Sequence, residues 1–274
     1  MWTISRERFS MIDYGLMAEK VFDLTYFNGR IAVILGSGLG KFSNHLKNQI
    51  TISYNDIPGY PSSTVEGHKG ELVCGRLDNN EILIANGRFH YYEGYSFQQV
   101  SIPIHMFKKL GVDHLIITNS SGSMNKHFLP GSIMVVKGHM DCTYRNSPAN
   151  PIIYSGSPYH DPELIDLAFS AAKEIGIELK SGNYCWTLGP SYETPAEIKD
   201  MINLGGDAVG MSTVPEIISA AELDIKVLTI SCLTNFAAGI TKTRLTHDDV
   251  VKTADKSSKE FSELLIKLLY KLKI

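Results

Sequence analysis

The chain has 274 residues, of which 43% are hydrophobic and 20% charged, and its formal net charge at pH 7 is −3. Proteins that bind nucleic acids usually carry a basic excess, so this balance argues against such a partner. No apolar run approaches the roughly 18 residues of a membrane span, and the N-terminal residues lack the apolar core of a signal peptide. The four cysteines are far apart and form no C-x-x-C pair, which favours a reducing compartment. We therefore expect a soluble cytoplasmic protein without a membrane partner.

Strand and helix patterns alternate along the chain and predict an α/β fold. The run 31–35 is apolar without a break, as in strands buried on both faces of a parallel sheet. No linker, repeat or low-complexity segment divides the sequence. We predict a single domain over residues 1–274 with a mixed, largely parallel central sheet flanked by helices. The predicted strands are 31–35, 50–54, 71–77, 81–86, 115–118, 133–136, 182–187, a short strand near 208 and 225–231. The predicted helices are 11–28, 100–110, 161–175, one starting at 195, 215–223 and 250–271.

The strand at 31–35 is followed by a glycine-rich loop, Gly36-Ser37-Gly38-Leu39-Gly40. Glycines allow the backbone to approach an anion closely, and main-chain N–H groups with the Ser37 hydroxyl suit a phosphate. A tight turn without a ligand explains the same residues equally well. A dinucleotide fingerprint needs a glycine where this chain has Lys41, and a Walker loop needs a different spacing. The loop therefore indicates either a plain turn or an anion site of another kind.

Other polar residues also follow predicted strands. His68 lies between glycines on a loop, and Arg88, His90 and Tyr92 come directly after the strand at 81–86. Open α/β sheets bind ligands at this end of their strands, and an arginine can pair bidentately with phosphate. A surface histidine without a role and an aromatic-rich surface loop remain the alternatives. Residues 119–123 are predicted to form a second loop of small residues, which a plain connection also explains.

The second half of the chain places further polar residues on predicted turns. Tyr192 and Glu193 precede a helix, where an exposed, solvated glutamate is the usual case. Residues 209–216 join a short strand to a helix, and Asn235 precedes a glycine-containing loop. His247 opens the last helix, where the helix dipole disfavours a cationic imidazole and favours a neutral hydrogen bond.

Together these loops resemble the trimeric purine nucleoside phosphorylase family over nearly the whole chain. The motifs occur in family order: G-S-G-L-G (36–40), S-T-V-E-G-H (63–68), G-R-F-H-Y-Y-E-G (87–94), G-P-S-Y-E-T (189–194), V-G-M-S-T-V-P-E (209–216) and L-T-N (233–235). The resemblance implies phosphorolysis of (deoxy)inosine and (deoxy)guanosine to free purine and pentose 1-phosphate, in purine salvage. It also implies a homotrimer that uses inorganic phosphate as co-substrate and needs no cofactor or metal.

The matching motifs imply a role for each candidate residue. The residues implied to bind phosphate are Ser37, His68, Arg88, His90, Ser120 through its main-chain N–H, and Ser212. The residues implied to bind the nucleoside are Tyr92 and Met211 at the ribose, His247 at its 5′-hydroxyl, Tyr192 stacked on the purine, and Glu193 and Asn235 at the purine edge. The residues implied to act in catalysis are Asn235, Glu193 and His90.

The amide at position 235 favours 6-oxopurines, because it can donate to O6. The related methylthioadenosine phosphorylases resemble this chain but carry an aspartate there, which accepts from a 6-amino group. Two alternatives stay open: a methylthioadenosine or adenosine phosphorylase, and a non-catalytic nucleoside-binding regulator on the same fold. The presence of Arg88, His90, Glu193 and Asn235 together argues against the regulator.

Two features depart from the family pattern. Asn119-Ser120-Ser121-Gly122 stands where the family often has Asn-Ala-Ala-Gly, which keeps the main-chain donor and adds a hydroxyl. Residues 142–161, predicted to be a long irregular loop, form a shorter segment than in many relatives. In the family this segment often lends an aromatic side chain to a neighbouring subunit, and Tyr159 is the candidate here.

Overall fold

The computed structural model describes residues 12–62, 68–145, 149–241 and 247–273, with the side chains of 247–256 left out. One mixed sheet forms the centre of this part of the chain. Its strands are β1 (Ile31–Leu35), β2 (Lys47–Ser53), β3 (Glu71–Leu77), β4 (Asn80–Asn86), β5 (His114–Ser123), β6 (Ile133–Asp141), β7 (Tyr154–Ser155), β8 (Leu179–Trp186), β9 (Ala208–Gly210) and β10 (Lys226–Phe236). The α-helices are α1 (Tyr14–Thr25), α2 (Phe97–Val100), α3 (Ile102–Lys109), α4 (Pro162–Glu174), α5 (Pro195–Asn203), α6 (Val214–Glu222) and α7 (His247–Lys271).

The sheet order is β10-β6-β8-β9-β5-β1-β4-β3-β2, with β7 paired to β6. The central strands β4, β1, β5 and β10 are parallel, whereas β2, β3 and β4 pair antiparallel as two hairpin steps. Because β10 also pairs with β5, the strands β5, β10, β6, β8 and β9 close into a ring. The predicted α/β architecture with a mixed central sheet is confirmed.

Two apolar layers cover the sheet, as the unbroken run in β1 predicts. Ala32 and Ile34 pack into a layer that includes residues of α1, α3 and α6. Ile31, Val33 and Leu35 pack on the opposite face, against residues of α4 and α7. Since successive side chains of a strand point to opposite faces, a strand between two helical layers must be apolar throughout.

The expected loop at 119–123 is wrong, because these residues continue β5. They pair with β10 in parallel register, from Ser231 opposite Asn119 to Phe236 opposite Ser123, with a bulge between Leu233 and Asn235. Small polar side chains resemble a turn in sequence, but the main-chain hydrogen bonds of this ladder do not depend on them.

The helix predicted at 100–110 is divided into α2 and α3 at Ser101. Pro103 has no N–H to donate and therefore cannot continue the bonding of α2. No helix among the described residues is long and apolar enough to cross a membrane. The four cysteines are free thiols and buried.

Candidate active site

Because β1 pairs in parallel with β4 and β5, the C-terminal ends of β1 and β4 lie next to the middle of β5. Leu35 lies opposite Asn86, and Ile34 lies opposite Ile117. The Ser120 hydroxyl donates to the Ser37 carbonyl over 2.9 Å, which ties β5 to the glycine-rich loop. Ser37 and Ser120, both predicted from sequence, are therefore neighbours.

His68 joins this loop to the segment after β4. The Arg88 N–H donates to Nδ1 of His68 over 2.8 Å, so Nδ1 is the acceptor nitrogen and Nε2 carries the proton. Nε2 in turn lies 2.9 Å from Oγ of Ser37 and donates to it. Burial, with smaller contributions from His90 and Arg88, lowers the pKa of His68 to about 3. A neutral His68 therefore fixes Ser37 and leaves the hydroxyl proton of Ser37 for a ligand.

Arg88 is almost fully buried, with 2% of its surface exposed. Its Nε donates to Oε1 of Glu216 over 3.2 Å, and its Nη1 donates to Oγ of Ser212 over 3.4 Å. Glu216 lies in the first turn of α6, where the helix dipole stabilises a carboxylate. The sequence did not single out Glu216 as a site residue, because an acidic residue in a first helical turn is common.

His90 is held from one side by Glu93. Oε1 of Glu93 accepts from the His90 main-chain N–H over 2.7 Å and lies 3.0 Å from Nδ1 of the same residue. The Tyr92 ring stacks on the His90 imidazole with centroids 4.7 Å apart, and burial raises the pKa of Tyr92 to about 12. The His68 ring meets His90 edge to face at 5.5 Å. Nε2 of His90 is thus the ring nitrogen that remains for a ligand.

Ser212 reaches Arg88 because β9 runs antiparallel to β5, with Val209 opposite Gly122. The chain after β9 therefore returns alongside β5, where Nδ2 of Asn119 donates to Oγ1 of Thr213 over 3.0 Å. Thr213 has φ 80° and ψ −48°, and the next N–H bonds back to the Ser212 carbonyl over 2.9 Å. This is a γ-turn, a strained conformation for a β-branched residue, and it directs Ser212 towards the arginine.

The two predicted ribose residues meet at Gly189. A Cβ placed on Gly189, which has φ 68°, would clash with Sδ of Met211 and lie 3.0 Å from the Tyr92 ring. Tyr92 belongs to the segment of Arg88 and His90, and Gly189 begins the segment that carries Glu193. The phosphate residues and the base residues expected from sequence are therefore adjacent across this contact.

Glu193 is anchored by a threonine that the sequence did not single out as a site residue. Oγ1 of Thr187 donates to Oε1 of Glu193 over 2.5 Å, and the Thr187 N–H donates to the Gly210 carbonyl over 2.9 Å. Thr187 was included in a predicted strand, where threonine is a common residue. Tyr192, next to Glu193, exposes 52% of its surface.

Asn235 lies beside Gly122 on the neighbouring strand. The Thr234 hydroxyl donates to Oδ1 of Asn235 over 2.8 Å, and Nδ2 donates to the Phe236 carbonyl over 3.0 Å, which sets the direction of the amide. Glu193 and Asn235 are linked through the main chain of β9 and β5 and not by a direct hydrogen bond between described atoms.

Two further predictions concern His247 and Tyr159. The side chain of His247 and most of the motif at 63–68 lie outside the described residues. Tyr159 packs within its own chain, with its ring 5.3 Å from His139 and 5.5 Å from Tyr154. Among the described residues, no group of three or more His, Cys, Asp or Glu is arranged to hold a metal ion.

Comparison with known proteins places this chain in a class. The family model of the phosphorylase superfamily matches residues 30–270. Purine nucleoside phosphorylase 1 of Geobacillus stearothermophilus is 44% identical over 85% of this chain and 87% of its own length. The purine nucleoside phosphorylase of Mus musculus is 38% identical over 83% of each chain. We conclude that the chain belongs to the purine nucleoside phosphorylase family of that superfamily.

Solved structures agree with this assignment. The crystal structure of Schistosoma mansoni purine nucleoside phosphorylase in complex with inosine has a TM-score of 0.87 to this chain and 32% sequence identity. The match covers 95% of this chain and 96% of the other. The resemblance inferred from the motifs is confirmed at the level of family and fold.

Proposed function

We propose that the protein is an enzyme that cleaves the N-glycosidic bond of 6-oxopurine nucleosides with inorganic phosphate. The products are the free base and a pentose 1-phosphate. The contact of Gly189 with both Met211 and Tyr92 supports this proposal most strongly, because it joins the anion-binding side chains to the loop of Glu193. Phosphorolysis needs this adjacency, since the attacking oxyanion and the departing base lie on opposite faces of one sugar.

Phosphate is bound by directed hydrogen bonds rather than by a large net charge. The donors are the hydroxyls of Ser37 and Ser212, the Arg88 guanidinium, the His90 imidazole and the main-chain N–H of Ser120. The charge of Arg88 is balanced by the carboxylate of Glu216 at 3.2 Å. A fixed set of donors of this kind stabilises an anion without reorganisation during the reaction.

The sugar develops positive charge as the bond from C1′ to the base breaks, and a phosphate oxygen attacks C1′ from the opposite face. This reaction requires positioning and electrostatic stabilisation more than covalent help from the protein. The electron pair of the broken bond moves to the purine, where the Nδ2 N–H of Asn235 that is not bonded to Phe236 stabilises the developing charge through a hydrogen bond to O6. Glu193 accepts the N1–H of the base.

The amide of Asn235 supports selection of 6-oxopurines. Thr234 occupies Oδ1, so the N–H of Nδ2 that is not bonded to Phe236 serves as donor to O6. A 6-aminopurine presents a donor at the same position, and two facing donors leave a buried polar group unpaired, which is strongly discriminating. Schistosoma mansoni purine nucleoside phosphorylase has been crystallised with inosine and with adenosine, so both nucleosides belong in the assay.

The proposal includes a homotrimer in the cytoplasm. Apolar side chains at 144 and 152–154 are exposed in this single chain and supply a surface for a second copy (Tyr144, Ile152, Ile153 and Tyr154). Light scattering should give three times the 30.4 kDa mass of the chain. A monomeric mass at assay concentrations would remove this part of the proposal.

One assay tests the function. Inosine, guanosine, xanthosine, adenosine and methylthioadenosine are each incubated with the enzyme, with and without phosphate, and free base is measured. We expect hypoxanthine and guanine release that requires phosphate. Faster cleavage of methylthioadenosine or adenosine than of inosine would favour the first alternative. Nucleoside binding without any base release would favour a regulator.

A further inference from the structure

Thr187 holds one oxygen of the base-binding carboxylate. It follows the last residue of β8, and its hydroxyl lies 2.5 Å from Oε1 of Glu193 and 3.4 Å from the Gly210 carbonyl. A hydroxyl has one proton, and the shorter, charge-assisted bond to the carboxylate takes it. The Thr187 N–H, bonded to Gly210 over 2.9 Å, fixes the backbone from which the hydroxyl extends.

The other carboxylate oxygen of Glu193 is left for a ligand. Oε2 makes no hydrogen bond with any residue in the described part of the chain, and Glu193 is only partly exposed. The terminal torsion of a glutamate is intrinsically broad, so a single hydrogen bond at Oε2 does not fix the plane of the carboxylate. The second anchor, at Oε1, comes from Thr187.

We propose that Thr187 is a specificity-determining positioning residue. By orienting Glu193, it allows the site to accept purines with one N–H donor as well as purines with two. This inference rests on the proposed function, in which Glu193 accepts from the base. Inosine offers only N1–H, and therefore depends on Thr187 to set the carboxylate plane. Guanosine offers N1–H and a 2-amino N–H, which engage both oxygens and orient the carboxylate without help, as forked donors do.

The same oxygen can accept from Thr187 and from a 2-amino group, because a carboxylate oxygen has two lone pairs. Thr187 therefore does not exclude guanosine. Its effect is to reduce the advantage that the second donor of guanosine would otherwise give. Loss of the hydroxyl should weaken inosine recognition much more than guanosine recognition.

The test compares Thr187→Val, which removes the hydroxyl at similar volume, with Thr187→Ser, which keeps it. We expect Thr187→Val to lower kcat/KM for inosine about tenfold, the effect of losing a hydrogen bond to a charged group, and for guanosine about twofold or less. The KM for phosphate should not change. Thr187→Ser should restore the wild-type ratio of the two nucleosides. Thr187→Ala gives the same comparison if the valine variant does not fold.

The matched control is Thr229→Val in β10, the same exchange at a buried hydroxyl that has no hydrogen-bond partner among the described residues. It should leave the nucleoside ratio unchanged. An equal loss for inosine and guanosine in Thr187→Val, or no loss for either, would overturn the inference.

A failure of the proposed function would be recognised separately, as absence of phosphorolysis in the wild type. In that case, calorimetric Kd values of hypoxanthine and guanine decide the inference, because these bases differ by the same 2-amino donor. Thr187→Val should then weaken hypoxanthine binding about fivefold more than guanine binding. Equal changes in the two Kd values would count against a role for Thr187 in specificity.

Discussion

Replacement of Glu216 by leucine tests how Arg88 is held at the proposed phosphate site. The two side chains form an ion pair at 3.2 Å, with 2% and 4% of their side-chain surfaces exposed. Removing one member of a buried pair leaves an uncompensated charge and typically costs about 3–5 kcal/mol. Oε2 of Glu216 has no hydrogen-bond partner among the described residues, so we take the lower value, about 3 kcal/mol. With an unfolding entropy of about 2 cal/mol/K per residue, the melting temperature should fall by about 5 °C.

The assay is a double-mutant cycle of Glu216→Leu, Arg88→Met and both together, measured by urea denaturation. Because the double variant leaves no unpaired charge, we expect it to be more stable than the sum of the single effects predicts, by about 2 kcal/mol. Phosphate provides a second readout. A ligand at 100 times its Kd stabilises the native state by about 2.7 kcal/mol, and Glu216→Leu should lose most of this gain.

The control is Glu222→Gln, at the exposed end of the same helix, which should retain both stability and the response to phosphate. Additive effects within about 0.5 kcal/mol would show that Arg88 and Glu216 do not act as a pair. A phosphate response in Glu216→Leu equal to that of the wild type would show that phosphate binding does not depend on this anchor.

Three further predictions concern the base, the buried histidines and a buried hydroxyl. Asn235→Asp should lower inosine turnover and raise adenosine turnover, and unchanged activities on both would refute the proposed role of the amide. Burial lowers the pKa of His139 to about 4 and of His160 to about 3, below the unfolded value of about 6.5. The unfolded chain therefore binds more protons, so the free energy of unfolding should fall as pH drops from about 6.5 to 4, by up to about 1.4 kcal/mol per pH unit for each histidine. The decrease should be less steep in His160→Leu, and parallel pH profiles of stability for this variant and the wild type would contradict the reasoning. Thr229→Val removes a buried, unpaired hydroxyl and should raise the free energy of unfolding by about 1 kcal/mol, whereas a lower melting temperature would contradict the reasoning.

The sequence predicted the sheet better than the site, for a physical reason. Successive side chains of a strand such as 31–35 point into two different helical layers, so all of them must be apolar, and an unbroken apolar run can be seen in the sequence. Asn119–Ser123 was wrongly predicted to be a loop because its strand hydrogen bonds are made by the main chain, while its polar side chains resemble a turn. Glu216 and Thr187 have locally ordinary positions, and only the pairing of distant segments gives them partners.

The three-residue strand β9 explains how the proposed phosphate site and the proposed base site come together on one sheet. The parallel pairing of β1 with β4 and β5 brings the loops after β1 and β4 next to β5, and the proposed anion donors Ser37, Arg88, His90 and Ser120 lie on these segments. Because β9 is antiparallel to β5, the residue Ser212 that follows it returns to Arg88. Because β9 is parallel to β8, the carbonyl of its last residue, Gly210, also accepts a hydrogen bond from the Thr187 N–H. This bond places Glu193, which Thr187 holds, at the same end of β9 as Ser212. A substitution that displaces β9, such as a side chain at Gly210 against the Tyr184 hydroxyl, should therefore impair phosphate and nucleoside binding together.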